Sequence, residues 1–262
     1  MKIRTISQIL GEENESIFGF DGVIIEKDFL SKGQTWVISG ASGIGKSVLA
    51  MQLAASLALG EKTLGLDIVR PAKTLLLHSE NPIADEKIYF DDIVSQFELD
   101  KKADFCEIME NNFRFRCKTG RHYSVDDFIS KLDAALRVNK YDVVIVDSLT
   151  SFVGCDFSSY SEVSNLFCKI NELKSKHRFA MVLIHHFCKP QFQSGKLHPA
   201  QWCMGGKAIG VYANIMSALV GTKEESGFSF RHYKPFEDSE ISQTLIAQCQ
   251  NGNTAWEEVE NV

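Results

Sequence analysis

The sequence lacks any apolar run that approaches the roughly 18 residues needed to cross a membrane, so we expect no transmembrane helix and no membrane partner. The segment Met1 to Leu10 also lacks the basic and then apolar stretches of a secretory leader. None of the seven cysteines stands in a Cys-x-x-Cys pair, and their number is odd, which argues against a metal cluster or a disulfide framework. Together these absences predict a protein of the reducing cytoplasm.

Internal repeats, low-complexity segments and Pro/Gly/Ser-rich linkers are also missing from the chain of 262 residues. Hydrophobic residues make up 44% of it and charged residues 24%, which is ordinary for a globular protein. We expect an N-terminal lead-in of helical or irregular turns over residues 1–32, followed by one domain over residues 33–262. The net charge of −6 weighs slightly against a nucleic-acid partner, although an oligomer can gather a few cations on one surface.

The most informative motif is the run Gly40-Ala41-Ser42-Gly43-Ile44-Gly45-Lys46-Ser47, which matches the phosphate-binding pattern GxxxxGKS. A short apolar strand precedes this run and an Ala/Leu-rich helix follows it, which is the context that the pattern needs. Backbone N–H groups of such a loop surround phosphate oxygens, and the helix N-terminus adds partial positive charge. Lys46 is predicted to reach the β- and γ-phosphates of ATP, and the Ser47 hydroxyl to bind Mg²⁺.

Two other apolar strands end in carboxylates. The β-branched run 143–146 is typical of a central parallel strand, and Asp147 at its end can hold Mg²⁺ directly or through water. Position 148 is Ser, where many ATPases carry a water-activating Glu. Glu80, which ends the apolar strand predicted over 74–79, is the expected substitute that polarises the attacking water.

A third apolar strand ends in His185 and His186. One of them could bind the γ-phosphate and transmit its loss to segment 187–204, or both could be structural. This segment shows no clear element, and so long a loop is usually functional or disordered. Its basic and aromatic residues suit phosphate contacts and base stacking, and equally a subunit interface. They are Lys189, Phe192, Lys196 and Trp202.

The order of predicted elements indicates an α/β fold. Strands are predicted at 36–39, 74–79, 113–116, 142–147, 180–185, 216–221, 227–233 and 244–249. Helices are predicted at 46–59, 83–98, 125–138, 160–177 and 205–213. Alternation up to residue 185 predicts a mostly parallel sheet with helices on both faces, and the close spacing of strands after residue 215 predicts an antiparallel extension.

Taken in order, GASGIGKS, LLLHSEN, VVIVDS and VLIHH resemble the motifs of the RecA-like P-loop ATPase core. Within that group the chain looks closest to the RepA group of small hexameric replicative DNA helicases, over roughly residues 30–250. The resemblance implies a central sheet covered by helices on both faces. It also implies a homo-oligomer, a hexameric ring, that acts on single-stranded DNA, with DNA-facing loops at about 150–160 and 187–204.

The resemblance also implies roles for single residues. Lys46 and Ser47 would contact phosphate and Mg²⁺, Asp147 would be the Walker B acid, and Glu80 the catalytic carboxylate. One of His185 and His186 would sense the γ-phosphate. These assignments agree with those reached from the residues alone.

One expected feature of RepA-like proteins is missing. Their arginine finger lies on or near the segment that corresponds to 205–216, but this chain has no Arg there and its only cation in that segment is Lys207. Two further candidates, Arg231 and Lys234, lie near the end of a predicted strand. We prefer Arg231 to Lys207. Any of these cations could reach the γ-phosphate of a neighbouring subunit, or simply be solvated.

Two alternatives to a helicase stay open from the sequence. The first is a DNA-binding ATPase without unwinding activity, in recombination or as a replication accessory. The second is an ATP-dependent switch for protein assembly, which the net negative charge favours slightly.

Overall fold

The computed structural model describes residues 22–26, 29–79, 92–93, 95, 107, 110–117, 122–187, 203, 205–221, 227–233, 240–248 and 256–258. The strands are β1 (Val23–Ile25), β2 (Leu30–Ser31), β3 (Thr35–Gly40), β4 (Thr74–His78), β5 (Phe113–Cys117), β6 (Val143–Asp147), β7 (Ala180–His186), β8 (Ile215–Gly221), β9 (Gly227–Tyr233), β10 (Glu240–Gln248) and β11 (Trp256–Glu258). The helices are α1 (Lys46–Leu59), α2 (Val125–Val138), α3 (Leu149–Phe152), α4 (Tyr160–His177) and α5 (Gly206–Tyr212).

Nine of the described strands form one sheet in the order β11-β10-β9-β8-β3-β7-β6-β4-β5. Neighbours from β8 to β5 are parallel, whereas β8, β9, β10 and β11 pair antiparallel. The predicted mostly parallel α/β sheet with an antiparallel extension is therefore confirmed. The extension begins at β9 rather than at residue 215, because α5 carries the chain back so that β8 can run parallel to β3.

Two apolar clusters cover the two faces of the sheet. One lies between the sheet and α1, a helix that is buried almost all round, as its Ala/Leu composition predicts. The other lies between the sheet and α2, α4 and α5. Because successive residues of a strand point to opposite faces, each strand residue can be assigned to the α1 face or to the opposite face. No helix in the described part of the chain is long and apolar enough to cross a membrane.

The helix bounds 125–138 and 160–177 agree with the prediction, and both helices begin after a serine cap. The Ser124 hydroxyl accepts from Asp127 N–H at 3.1 Å, and Ser159 accepts from Glu162 N–H at 3.4 Å. Of the predicted helix 83–98, only residues 92, 93 and 95 are described, and all three are helical.

The expectation of helical or irregular turns over 1–32 is wrong for residues 23–25 and 30–31, which form strands. There β1 and β2 pair antiparallel, and Ile24, Ile25 and Leu30 are buried in the cluster that includes α1. Strands of two and three residues are too short to show a period of two in sequence. Residues 1–21 lie outside the described part of the chain, and the boundary at residue 32 stays a prediction.

Candidate functional site

The phosphate loop joins β3 to α1 at the carboxyl end of the parallel strands. Gly45 caps α1 with a φ of 93°, a conformation that glycine adopts without the clash a Cβ would cause. Lys46 is only 6% exposed, and its Nζ donates to the carbonyl oxygen of Ala41 at 2.6 Å. The ammonium group therefore curls back over the start of the loop, while Ser47 lies half-buried in the first turn of α1.

Asp147 lies at the carboxyl end of β6 and is 1% exposed. Its Oδ2 is 2.8 Å from Nδ1 of His78, which is fully buried at the end of the adjacent strand β4. An ionised carboxylate can only accept a hydrogen bond, so the imidazole Nδ1–H donates. Both side chains lie on the α1 face, the face that carries the phosphate loop.

These residues offer the donors that Mg-ATP requires. Backbone N–H groups and the Lys46 ammonium group suit phosphate oxygens, while the Ser47 hydroxyl and the Asp147 carboxylate are the oxygen ligands that Mg²⁺ prefers. The His78 bond occupies one lone pair of Asp147 Oδ2. The roles of Lys46, Ser47 and Asp147 stay predictions, and the described geometry suits them chemically.

Glu80, the predicted catalytic carboxylate, lies outside the described residues. The strand that precedes it, β4, ends beside the end of β6, because His78 pairs with Asp147 in the parallel ladder of the two strands. The catalytic role of Glu80 therefore also stays a prediction.

The two histidines of β7 point to opposite faces of the sheet. His186 pairs with Gly40 in the ladder and shares the α1 face with the phosphate loop, where it is half-buried. His185 lies on the opposite face, is fully buried, and packs its ring 5.1 Å from the ring of Phe157. Of the predicted pair, only His186 is therefore placed on the nucleotide side.

A chain of backbone contacts joins the phosphate loop to the ends of segment 187–204. Phe187 N–H donates to the carbonyl oxygen of Gly40 at 3.3 Å. Phe187 also forms an antiparallel bridge with Cys203, whose carbonyl accepts from Gly206 N–H at 2.8 Å. Residues 188–202, including Lys189, Phe192, Lys196 and Trp202, lie outside the described part of the chain.

The predicted DNA-facing loop at 150–160 carries one charged residue, Asp156. Hydrogen bonds from the Ser158 hydroxyl and backbone N–H lower the pKa of the Asp156 carboxyl, which keeps it ionised. This loop supplies no cation for a DNA phosphate. It packs instead against the start of α5: a Cβ on Gly205, which has a φ of 69°, would lie 2.5 Å from the carbonyl oxygen of Phe157.

The three finger candidates fall in different places. Lys207 is exposed in the first turn of α5. Arg231 is half-buried inside β9, between Ala218 and Gln243 on the neighbouring strands. Lys234 lies outside the described residues, and β9 ends at Tyr233, which pairs with Met216 near the start of β8. None of the three roles is decided by these positions.

Two residues of the site were not identified from sequence. His78 was visible within LLLHSEN, but only the adjacency of β4 and β6 brings it to Asp147. Trp256, in β11, donates its indole Nε1–H to the carbonyl oxygen of Gly45 at 3.2 Å, and no sequence signal links the two residues.

Comparison with known proteins agrees with this architecture. A family profile described as an AAA domain matches residues 23–191. Among solved structures, the ATPase domain of G40P superposes with a TM-score of 0.59 at 11% sequence identity, covering 87% of this chain and 86% of that one. No curated protein matches the sequence. The predicted RecA-like P-loop ATPase fold is thereby confirmed.

Proposed function

Because this chain belongs to the AAA domain family and is a RecA-like P-loop ATPase, we propose that it works as a ring-forming helicase or translocase of the RepA type. It hydrolyses Mg-ATP and moves along single-stranded DNA in replication. The observation that carries the proposal is the backbone path that joins Gly40 to segment 187–204 through Phe187 and Cys203.

For ATP hydrolysis the protein must bind the phosphates, bind the metal ion and polarise the attacking water. Water attacks the γ-phosphorus, the bond to the β–γ bridging oxygen breaks, and the water proton passes to a carboxylate, for which Glu80 is the candidate. Mg²⁺ neutralises charge on the phosphates when bound. The Ser47 hydroxyl and the Asp147 carboxylate would hold it, with His78 fixing the orientation of the carboxylate.

His186 is the better placed γ-phosphate sensor, because it shares the face of the phosphate loop and directly precedes Phe187. Loss of the γ-phosphate removes its hydrogen-bond acceptor. Any displacement of this strand end is transmitted to both ends of segment 187–204, since Phe187 is bonded to Gly40 on one side and bridged to Cys203 on the other. The nucleotide state would thereby be coupled to Phe187 and Cys203, the two described residues that flank positions 188–202.

DNA contact is assigned to segment 187–204 rather than to both loops. Lys189 and Lys196 supply cations there, whereas loop 150–160 has only the negative charge of Asp156. Six copies around a ring would bring twelve such lysines to one channel, so positive charge could be concentrated there although each chain carries a net charge of −6.

A protein-assembly switch is the second candidate, and the acidic net charge and the cation-free loop 150–160 favour it. The same coupling would then move segment 187–204 against a protein surface. A DNA-binding ATPase that does not unwind is the third reading.

One set of assays separates these functions. We expect ATP hydrolysis by the purified chain to rise when single-stranded DNA is added, and a forked duplex to be unwound only with ATP. Lys46→Ala should abolish hydrolysis and weaken nucleotide binding. Glu80→Gln should keep ATP binding but slow turnover by about 10²–10⁴-fold, since it removes the general base.

The outcomes assign the function. If single-stranded DNA does not change the rate of ATP hydrolysis, the result contradicts the helicase and supports the assembly switch. Stimulation without unwinding supports the accessory ATPase. Normal hydrolysis by Lys46→Ala would contradict the nucleotide site itself.

A further inference from the structure

The strand β11 is seated on the phosphate-loop helix, although the contacting residues are 204 positions apart. The side chain of Gln52, in α1, makes two hydrogen bonds with the backbone of Trp256. Gln52 Nε2–H donates to the Trp256 carbonyl at 2.7 Å, and Trp256 N–H donates to Gln52 Oε1 at 2.8 Å. Both side chains are buried, at 5% and 1% exposure, so this pair is a fixed clamp rather than a surface contact.

The clamp aims the Trp256 indole at the phosphate loop. Its Nε1–H donates to the carbonyl oxygen of Gly45 at 3.2 Å, and the same oxygen accepts the first helical bond of α1, from Leu49 N–H at 3.1 Å. The Gly45 carbonyl is therefore held by two donors, one from its own helix and one from β11.

This matters because Gly45 and Lys46 share a peptide plane. In a trans peptide the carbonyl and the N–H point in opposite directions. A Gly45 carbonyl fixed toward Trp256 and Leu49 sets the direction of the Lys46 N–H away from them. Gly45 has a φ of 93° and no Cβ, so sterics restrain this peptide little and its orientation depends on those two hydrogen bonds.

We propose that Trp256 is a positioning residue for nucleotide binding: its indole N–H orients the Gly45–Lys46 peptide, and Gln52 holds it in place. The C-terminal strand thereby sets the affinity of a phosphate loop that lies more than 200 residues earlier in the chain. The inference rests on the nucleotide-binding role proposed for that loop. It does not depend on DNA binding or on ring formation.

The test compares two identical substitutions in the full-length chain. Trp256→Phe keeps a buried aromatic ring and removes the indole donor. Trp36→Phe is the matched control, because Trp36 is also fully buried. Its Nε1–H donates to Ser217 Oγ at 2.7 Å, between the neighbouring strands β3 and β8. Mg-ADP affinity is measured by isothermal titration calorimetry, with circular dichroism to confirm folding.

We expect Trp256→Phe to bind Mg-ADP about fivefold more weakly, the effect of losing one hydrogen bond, while Trp36→Phe keeps wild-type affinity. Gln52→Leu, which leaves the indole but releases its strand, should weaken binding in the same direction. Unchanged affinity in Trp256→Phe, or equal losses in both tryptophan variants, would overturn the inference. Wild-type protein that binds no Mg-ADP would instead overturn the proposed nucleotide site.

Discussion

At the scale of single residues, the chemistry of Asp147 depends on its neighbour His78. Asp147 is almost fully buried, and His78 orients its carboxylate through a hydrogen bond of 2.8 Å. Partners that orient a metal ligand typically change metal affinity or activity by about 10–100-fold when they are removed. His78 is therefore predicted to act through Asp147 rather than on ATP.

His78→Ala should raise the Mg²⁺ concentration needed for half-maximal ATP hydrolysis by about tenfold or more, because the Asp147 carboxylate loses its orienting donor. His78→Asn places an amide N–H near the position of Nδ1 and should restore much of the loss. The measurement is a Mg²⁺ titration of initial rates at saturating ATP.

A merely structural role for His78 predicts a different pattern. Both variants would then lower the melting temperature while the Mg²⁺ half-saturation stayed at its wild-type value. That result would contradict the positioning role.

At the scale of elements, α4 docks on β3 through a buried lysine. Lys174 is 4% exposed, and its Nζ donates to the Thr35 hydroxyl at 2.6 Å. Burial lowers the pKa of the Lys174 ammonium group from 10.5 to about 8, because the charged form loses its hydration. The hydrogen bond holds α4 to the sheet, but desolvation of the Lys174 ammonium group costs folding free energy.

Lys174→Met should stabilise the protein near pH 7. Lowering the lysine pKa by about 2.5 corresponds to a folding cost of up to about 3 kcal/mol, at about 1.4 kcal/mol per pKa unit, and the lost Thr35 bond subtracts about 1. The advantage holds below pH 8, where the lysine is protonated in both states. The advantage of the variant shrinks from pH 8 to 10.5. In this range Lys174 stays protonated only in the unfolded wild type, so the wild type gains stability as the pH rises.

Urea unfolding at pH 7 and at pH 9.5 measures this difference. Lys140→Met, at an exposed lysine, is the control and should change stability little and equally at both pH values. An advantage of Lys174→Met that does not change with pH would contradict a desolvated ammonium group as its cause.

For the whole molecule, the question is whether one chain contains a complete site. The described nucleotide side contains Lys46, Ser47, Asp147 and His186, whereas Lys207 lies exposed on α5 and Arg231 lies half-buried within β9. In the proposed ring, a cation from a neighbour completes the charge at the γ-phosphate.

We expect Ala substitution of at least one of Lys207, Arg231 and Lys234 to slow hydrolysis by about 10³-fold or more, while Mg-ATP affinity changes little. Mixing that variant with Lys46→Ala should restore part of the activity, because each defective subunit supplies what the other lacks. Steady-state hydrolysis of the mixture, against each variant alone, is the measurement.

Normal hydrolysis by all three single variants, together with sedimentation as a monomer in the presence of ATP, would contradict the shared site. Electron microscopy with an ATP analogue and single-stranded DNA would then decide between a ring, a filament and a monomer.

The sequence by itself determined the features that depend on neighbouring residues. The GxxxxGKS run and the β-branched strand before Asp147 each act within about one turn or strand. Their chemistry is therefore readable in order along the chain. The same locality explains why the strand order of the extension and the short pair β1–β2 were not predicted.

Only the tertiary structure decided which of these features meet. The pairing of β4 with β6 brings His78 to Asp147, and the register of β7 with β3 turns His186, not His185, to the phosphate-loop face. The sheet order brings Trp256 to Gly45 across 211 positions. Such contacts are set by strand order and register, where a shift of one residue reverses every side chain, and no local pattern encodes that choice.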